Sequence, residues 1–382
     1  MKRFANILRV RVKGSMNKAY KFRIYPDKKQ EELLAKTFGC CRFLYNLMLD
    51  EKIKEYQATG KMKKTTPAAY KKEYPWLKEV DSLALANVQL HLEKAYKNFF
   101  ENPATGLPKF KSRHRSKQSY TTNVVNGNIR LENGKLRLPK LKEVRIRVHR
   151  EIPQEYRLKS VTVSREPSGK YYASLLYSYE FCENQAESIK RTDPVVLGID
   201  YAMSGMAVFS DGTRCTYPGY FRKSAAHLAR EQRKLSRCQK GSRNYEKQRK
   251  KVAICHEKIR NQRKDFHHKL SHKLAERYDA IAVEDLNMKA MSQCLHLGKG
   301  IMDNGYGMFL DMLSYKLEER GKKLIRIDQY YPSSKTCSRC GKTKKELSLS
   351  ERIYDCECGN HMDRDVNAAI NIREEGKRMM SA

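Results

Sequence analysis

The sequence predicts a multidomain α/β protein, and three observations lead to this prediction. The chain has 382 residues, enough for two or three domains with a sizeable buried core. Strand-like alternation of apolar and polar residues occurs in two separate stretches, before and after residue 195. A cysteine-rich segment interrupts the second stretch near its end. We therefore expect an N-terminal region containing β-structure and a C-terminal α/β region with a small insert.

The N-terminal half is predicted to combine helices with a basic β region. Residues 17–25 alternate as a strand, which Pro26 ends before a helix begins. A second helix is predicted over residues 83–101, with its apolar stripe in the core. Residues 106–150 are strand-like and basic, with thirteen Lys and Arg against two acidic residues. The alternation in "VRIRVHR" suits a sheet with one buried face and one cationic face.

The C-terminal half has the strand order of a ribonuclease H-like sheet. The segment "VVLGIDYAMSGMAVFSDGTRCTY" predicts three strands joined by hairpin turns. A basic helical hairpin over residues 221–273, split at Gly241 and Ser242, comes next. It leads to a fourth strand in "YDAIAVEDLN", a helix that Gly321 can end, and a fifth strand in "LIRIDQY". In such a sheet the first and fourth strands are neighbours, and the last helix packs over them.

The charge of the chain indicates a polyanionic partner. Lys and Arg number 78 and Asp and Glu number 43, which gives a formal net charge of +35. Residues 221–273 alone hold eighteen basic residues against four acidic ones. A solvated, solubilising surface is the alternative interpretation, but like charge at this density repels itself. Nucleic acid is the commonest polyanion, so we expect phosphate-facing surfaces.

The sequence predicts no membrane contact and a reducing compartment. No apolar run approaches the ~20 residues of a membrane-spanning helix. Arg9 and Arg11 interrupt the apolar stretch near the start, so a signal peptide is not predicted. Eleven cysteines without an export signal are typical of a cytoplasmic protein, in which paired cysteines bind metal more often than they form disulfides.

Four cysteines are spaced for one structural zinc ion. Cys337 and Cys340 form a C-x2-C pair, and Cys356 and Cys358 form a C-x-C pair. Four thiolates suit tetrahedral zinc, and a glycine after each pair permits the turn. The second pair is one residue shorter than in the usual zinc ribbon, which leaves less room for chelation. Four unligated cysteines are the alternative interpretation.

Three acidic residues are placed where a metal-dependent nuclease would hold its cations. Asp200 ends the first strand, Glu284 ends the fourth, and Asp365 opens the last helix. If these elements are neighbours, the three carboxylates converge and can hold two Mg²⁺ about 4 Å apart. Taken singly, each acid could be a strand-end turn residue, a surface acid or a helix cap. Asp285 and Asp363 are rivals for the assigned positions.

The motifs that contain these residues resemble a known family. "LGID", "AVEDLNM", "YYPSSKTCSRCG" and "CECGNHMDRDVNAAINI" together resemble TnpB, the transposon-encoded nuclease related to compact type V CRISPR effectors. "YKFRIYPDKKQEELLAKTFGCCRFLYNLML", "AYKNFF", "GLPKFKSR" and "NQRKDFHHKLS" are also similar to that family. The resemblance extends from Met16 to about Arg378.

The resemblance implies a domain layout that composition alone does not give. It implies a ribonuclease H-like (RuvC) nuclease domain with a zinc-ribbon-like insert, and an N-terminal β-barrel (wedge) domain interrupted by a helical recognition domain. The implied boundaries are a basic extension at 1–15, the wedge domain at 16–30 and 116–194, the recognition domain at 31–115, the nuclease domain at 195–332 and 360–378, the insert at 333–359, and a tail at 379–382.

The resemblance also implies an activity and its partners. Members bind a guide RNA from the transposon end, recognise a short motif beside the target in double-stranded DNA, and cut that DNA in the prokaryotic cytoplasm. By motif, Asp200, Glu284 and Asp365 are the catalytic Mg²⁺ ligands, and the four cysteines hold zinc. A monomer on one RNA is expected. Because base pairing reads the sequence, the protein needs mainly a cationic channel.

Nucleic-acid contacts are expected on the basic segments of both halves. The candidate residues are Lys109, Lys111, Arg113, Tyr120, Thr121, Asn123, Arg263 and Lys264. The family layout also places residues 82–89 and 119–128 near the DNA motif, with core packing and a plain loop as the alternatives.

Two other functions remain open from the sequence. The same fold could perform strand transfer as a transposase, which would give joined DNA products without RNA. A guided DNA-binding protein without cleavage is the third hypothesis, but such a protein is expected to lose one of the three acids.

Overall fold

The computed structural model describes residues 12–62, 65–182, 194–203, 205–294, 298–348 and 350–381. The chain divides into two compact units, an N-terminal unit at Lys13–Phe181 and a C-terminal unit from Cys182 onward. The extension expected over 1–15 lies mostly outside the described residues, and the first strand begins at Val12. Within the described ranges, no helix has the length and apolarity needed to cross a membrane.

The N-terminal unit is built on a seven-stranded sheet. Its strands are β1 (Val12–Tyr25), β2 (Gln118–Asn123), β3 (Arg130–Glu132), β4 (Lys135–Leu138), β5 (Lys142–Arg147), β6 (Arg157–Arg165) and β7 (Tyr171–Cys182). They lie in the order β2-β6-β7-β1-β5-β4-β3. The sheet confirms the predicted β region, whereas its closure into a wedge-type barrel stays a prediction.

Three helices accompany this sheet. They are α1 (Lys28–Thr59), α2 (Tyr70–Glu73) and α3 (Ser82–Glu101). Asp27 caps α1 by accepting a hydrogen bond from the backbone N–H of Gln30, and the Gln30 side-chain oxygen accepts one from the Asp27 N–H. Helical and strand residues share one buried core. The assignment of residues 31–115 to a helical recognition domain that interrupts the wedge domain stays a prediction.

The C-terminal unit contains the predicted five-stranded sheet. Its strands are β8 (Val196–Tyr201), β9 (Ala207–Phe209), β10 (Arg214–Cys215), β11 (Ala280–Glu284) and β12 (Lys323–Ile327), in the order β10-β9-β8-β11-β12. β8 and β11 are parallel neighbours, and β11 pairs in parallel with β12. The expectation that the first and fourth strands lie side by side is therefore confirmed.

Six helices and a small hairpin complete this unit in the described residues. They are α4 (Tyr220–Ser236), α5 (Arg243–Arg277), α6 (Met288–Cys294), α7 (Gly298–Asn304), α8 (Tyr306–Glu318) and α9 (Arg364–Ser381), with β13 (Ile353–Asp355) and β14 (His361–Asp363) before α9. Ser242 caps α5, which confirms the predicted split of the basic hairpin. The expected tail at 379–382 is helical through Ser381.

The last helix lies directly against β8 and β11, and small residues allow it to do so. A Cβ atom added to Gly198 on β8 would lie 2.0 Å from the carbonyl oxygen of Ala369 on α9. A Cβ atom on Gly376 would lie 2.5 Å from the Cβ of Ala282 on β11. Both distances are below van der Waals contact, so glycine at these positions brings the backbones together.

Candidate functional site

Asp200 and Glu284 lie at the same end of two neighbouring strands. Parallel pairing sets Val283 opposite Ile199, and each acid is the next residue in its strand. Side chains alternate faces along a strand, so Asp200 shares the face of Gly198, two positions earlier, against which α9 packs. The same alternation sets Glu284 on the face of β11 that α9 covers.

Asp365 completes the group from the first turn of α9. Burial raises the pKa of Asp200 well above its usual range, and the charges of Glu284 and Asp365 raise it further. The Arg364 guanidinium opposes this shift. Burial also raises the pKa of Glu284, against a hydrogen bond from Ser333 that lowers it. The charges of Glu284 and Asp365 therefore both act on Asp200, and their repulsion of its negative charge favours a proton or a bound cation there.

The two rival acids have other partners. The Asp363 Oδ1 accepts hydrogen bonds from the backbone N–H groups of Asp365 (3.0 Å) and Val366 (3.1 Å), which makes Asp363 the cap of α9. Asp285 is exposed and forms an ion pair with Arg326 at 3.0 Å. These contacts favour Asp365 and Glu284 over their neighbours as the candidate ligands.

Two residues beside the acids were not singled out from the sequence. Ser333 donates a hydrogen bond from Oγ to Oε1 of Glu284 at 2.5 Å. The Arg214 guanidinium lies 2.6 Å from Oδ2 of Asp363 and 3.6 Å from Oδ2 of Asp365. Each contact joins residues that are far apart in the chain, so no local sequence pattern reports it.

The four cysteines converge on one point. The Sγ atoms of Cys337 and Cys358 are 3.6 Å apart, and those of Cys340 and Cys356 are 3.7 Å apart. Zinc bound tetrahedrally at about 2.3 Å from each sulfur would set the sulfurs about 3.8 Å apart. Gly341, with φ of 76°, supplies the turn after the first pair. The C-x-C spacing therefore still brings all four thiols to zinc-ligand separation.

This cysteine cluster is tighter than the acid group. In the described part of the chain, it is the one set of three or more Cys, His, Asp or Glu residues whose ligand atoms all lie within 4.8 Å of one another. Asp200, Glu284 and Asp365 do not meet this distance criterion as a set. The donor atoms also differ, because the cysteine cluster offers soft thiols and the acid group offers hard oxygens.

Three of the expected nucleic-acid residues are instead engaged within the protein. Tyr120 is 5% exposed and lies in the core of the N-terminal unit, so its ring does not reach nucleic acid in this conformation. The Lys111 ammonium lies 3.8 Å from the centroid of the Tyr45 ring. Arg263 lies 3.9 Å from Asp303 with its side chain 21% exposed. Burial is evidence against contact of Tyr120 with nucleic acid, whereas contact of the partly exposed Lys111 and Arg263 stays a prediction.

The other five residues have polar atoms at or near the surface. Lys109, Arg113 and Lys264 are exposed. Thr121 is half-buried and shares a hydrogen bond with Thr162 at 2.8 Å, and Asn123 is also half-buried. Contact of these five with nucleic acid stays a prediction.

The sheet of the N-terminal unit presents a cationic face that the sequence indicated only in part. Arg23 lies directly opposite Arg147, and Lys135 lies opposite Arg145, with all four side chains exposed. Like charges in register destabilise a sheet, although Lys135 also forms an ion pair with Glu143 at 2.9 Å. The centroid of the Tyr25 ring lies 4.8 Å from the Arg23 guanidinium and 5.6 Å from the Arg145 guanidinium. The cations of such a face can bind backbone phosphates, and its aromatic ring can stack on a base.

Three family models match the chain. A family described as "Probable transposase" (OrfB_IS605) matches residues 179–295, and a "Cas12f1-like, TNB domain" model matches residues 306–372. A "Helix-turn-helix domain" model of the same family matches residues 16–61. In the structure, residues 16–61 contain part of β1 and the single long helix α1.

Full-length relatives and a solved structure are also similar. A "Putative RNA-guided DNA endonuclease" of Streptomyces pristinaespiralis is 35% identical over 94% of this chain and 90% of the relative. "Putative RNA-guided DNA endonuclease InsQ" of Escherichia coli (strain K12) is 31% identical over 95% and 93%. A chain of a Cas12f1–sgRNA–target DNA complex aligns over 94% of this chain and 99% of its own length, with a TM-score of 0.59 and 15% identity. That likeness shows a shared fold.

Proposed function

The chain belongs to the TnpB family, and from this we propose that it is an RNA-guided DNA endonuclease. Its guide would be an RNA from the transposon end, and its substrate would be double-stranded DNA that carries a short motif beside the target. One observation supports cleavage best. Asp200 and Glu284 lie at the same end of the parallel strands β8 and β11, and the charge of Asp365 acts on Asp200.

We propose that these three carboxylates bind two Mg²⁺ in a RuvC-type site. Bound Mg²⁺ would supply an activated water and would neutralise charge on the leaving oxygen during phosphodiester hydrolysis. Asp200 would be one of the residues that hold the cations, since the charges of Glu284 and Asp365 both act on its carboxyl. Arg364 and Arg214 border Asp365 and would limit the charge of the group before cations bind.

The cysteine cluster is proposed to bind one structural zinc ion. Four protein sulfurs would fill a tetrahedral shell and leave no position for a substrate or water. The insert contains one short strand, β13, which pairs with β14 just beyond it, and Tyr354 is the one fully buried large side chain in the described part of the insert. Such a segment gains folding free energy mainly from its metal.

We propose that the guide RNA lies on the cationic sheet face formed by Arg23, Tyr25, Lys135, Arg145 and Arg147. Arg23 and Arg147 lie opposite each other, and such like charges lower the stability of the sheet, so a partner that neutralises them would account for their retention. Lys135 already forms an ion pair with Glu143 at 2.9 Å. The basic hairpin of α4 and α5 is proposed as a second phosphate-facing surface, with Lys264 on its exposed side. The wedge layout and a single chain on one RNA remain part of this proposal.

The test of the function is guided cleavage. The protein is expressed with its native flanking DNA, the co-purifying RNA is sequenced, and cleavage of plasmids carrying a matched target beside randomised sequence is measured with Mg²⁺. We expect cutting that depends on the matching guide and is lost in Asp200→Ala, while that variant still binds RNA. Undiminished cleavage by Asp200→Ala would reject the proposed site.

Strand transfer is the second candidate, because one matching family model is described as a transposase. It predicts joined DNA products and recognition of transposon ends without RNA. The same plasmid assay separates the two functions, since hydrolysis leaves free ends and strand transfer leaves covalently joined ones.

A further inference from the structure

Residues 333–338 connect the five-stranded sheet to the first cysteine pair, and we call them the connector. At one end, Ser333 is 5% exposed and donates its hydroxyl hydrogen bond to Oε1 of Glu284 at 2.5 Å. Near the other end, Cys337 belongs to the four-cysteine cluster. The connector therefore contacts both proposed metal sites within six residues.

Two buried asparagines fasten the connector to α9. Asn371 donates from Nδ2 to the carbonyl oxygens of Ser333 at 2.7 Å and Thr336 at 2.6 Å. Asn367 donates to the Thr336 carbonyl at 2.7 Å and accepts from the Ser338 N–H at 2.9 Å. The two side chains are 5% and 0% exposed, so these bonds form away from water, where an unmade bond is costly.

The same network reaches the cysteines and the candidate acids. Asn360 donates from Nδ2 to the Cys337 sulfur and to Oδ1 of Asn367, each at 3.4 Å. Asp365 lies on the same helix as Asn367, two residues earlier. The helix α9, which carries Asp365, thus fixes the backbone of Ser333. The Ser333 hydroxyl in turn binds Glu284.

We propose that Ser333 is a positioning residue, which orients Glu284 for Mg²⁺, and that the connector makes this orientation depend on zinc at the cysteines. The hydroxyl occupies Oε1 and leaves Oε2 of Glu284 for a cation. Hydrogen bonds of this kind, made to a metal ligand rather than to the metal, orient the ligand and affect metal affinity. The inference rests on the proposed function, since it assigns Glu284 to Mg²⁺.

The first experiment compares Ser333→Ala, Ser333→Thr and Ser334→Ala, the last being a partly exposed neighbour that serves as the matched control. Three quantities are measured on the protein–RNA complex: the Mg²⁺ concentration for half-maximal cleavage, the rise in melting temperature caused by Mg²⁺ without DNA, and the zinc content. We expect Ser333→Ala to need about tenfold more Mg²⁺ and to lose much of the thermal shift, with zinc retained. Ser333→Thr should restore both.

An unchanged Mg²⁺ requirement in Ser333→Ala, beside an active Ser334→Ala control, would overturn the inference. A lower maximal rate with the same Mg²⁺ requirement would overturn it too, because that is the effect of a smaller folded fraction. If the parent and the control fail to cleave at any Mg²⁺ concentration, it is the proposed function that fails. The thermal shift is measured without cleavage, so it reports on Mg²⁺ binding in either case.

The second experiment tests the link to the cysteines. Zinc is removed with a chelator that binds zinc far more tightly than magnesium, and the Mg²⁺-induced thermal shift is measured again. We expect zinc removal to weaken the Mg²⁺ response of the parent to about that of Ser333→Ala, and to weaken the variant little further, because the two changes break one path. Independent effects that simply add would show that the connector does not join the two sites.

Discussion

Arg214 Nη2 lies 2.6 Å from Oδ2 of Asp363, so the acid that caps α9 is also ion-paired to the edge strand β10. Asp365, two residues later, has no capping bond in the described contacts, and its charge raises the pKa of Asp200. The two aspartates of "DRD" share Arg214 as a neighbour, but only Asp363 accepts the capping bonds of α9. This difference leads to the first prediction.

Asp363→Asn and Asp365→Asn should differ in their effects on stability and on DNA cleavage. Asp363→Asn keeps a side-chain oxygen as cap and loses an exposed ion pair, so we expect a loss of stability of about 1 kcal/mol or less and retained cleavage. Asp365→Asn removes a proposed Mg²⁺ ligand, so cleavage should be lost while the melting temperature changes little. Thermal unfolding and a guided cleavage assay measure both. Loss of cleavage in Asp363→Asn alone would reverse the assignment.

Gly198→Ala should separate α9 from the sheet. The new methyl group would lie 2.0 Å from the Ala369 oxygen and 2.7 Å from the Arg373 backbone nitrogen, and neither atom belongs to a flexible side chain. We expect a loss of about 3 kcal/mol in the free energy of unfolding, measured by denaturant titration. Gly307→Ala on α8 is the matched control, because nothing lies within 4 Å of its added Cβ. Equal stability of the two variants would contradict the packing described here.

The stability of the metal-free protein should fall with rising pH because of Asp200. Burial and the neighbouring acids raise its pKa in the folded state, so above the unfolded value of about 3.9 the folded chain holds a proton that the unfolded chain has released. That contribution is lost as the pH rises through the folded pKa. Asp200→Asn should therefore melt a few degrees higher than the parent at neutral pH without Mg²⁺. Added Mg²⁺ should reverse the order.

Asp211 provides the control of opposite sign for that experiment. Burial acts to raise the pKa of Asp211, but hydrogen bonds from Thr213 and Tyr278 outweigh it and lower the pKa. Its contribution to stability is present above the unfolded pKa and is lost as the pH falls through the folded pKa. Asp211→Asn should therefore melt lower than the parent at neutral pH. Similar shifts for the two variants would show that the Asp200 effect is not electrostatic.

Arg147→Gln should weaken RNA binding and stabilise the free protein. Removing one of two opposed guanidiniums relieves repulsion with Arg23, which is worth about 0.2–1 kcal/mol. If Arg147 contacts one phosphate, the slope of log K against log salt should become shallower by about 0.7–0.9. Binding titrations at several salt concentrations and thermal unfolding measure the two effects. Lys36→Gln is the control, since Lys36 is already paired with Glu79.

Short-range patterns predicted the elements of the C-terminal unit well. Apolar runs that end in "GID" and "VED" indicated two buried strands. The strand order predicted that β8 and β11 are neighbours, and the structure confirms it. Ser242 and Gly241 marked a helix boundary because capping depends on residues only a few positions apart. The convergence of the cysteines, despite the short second pair, was likewise predicted from local turn chemistry.

The side-chain partners were not predictable in the same way. Alternation over residues 118–123 does not say which face of β2 is buried, so Tyr120 was expected at the surface and lies in the core. Arg263 sits in a basic run, but its ion pair with Asp303 depends on how a later helix folds back. The bond from Ser333 to Glu284 likewise depends on the tertiary path of the connector.

The three acids of the proposed site are separated by two long intervals, with Asp365 in the last helix of the described chain. A ribosome therefore synthesises Asp200 and Glu284 well before Asp365, the third proposed Mg²⁺ ligand. Under the proposed function, a nascent polypeptide that ends before Asp365 lacks one of the three Mg²⁺ ligands. The proposed site would therefore be completed only late in translation.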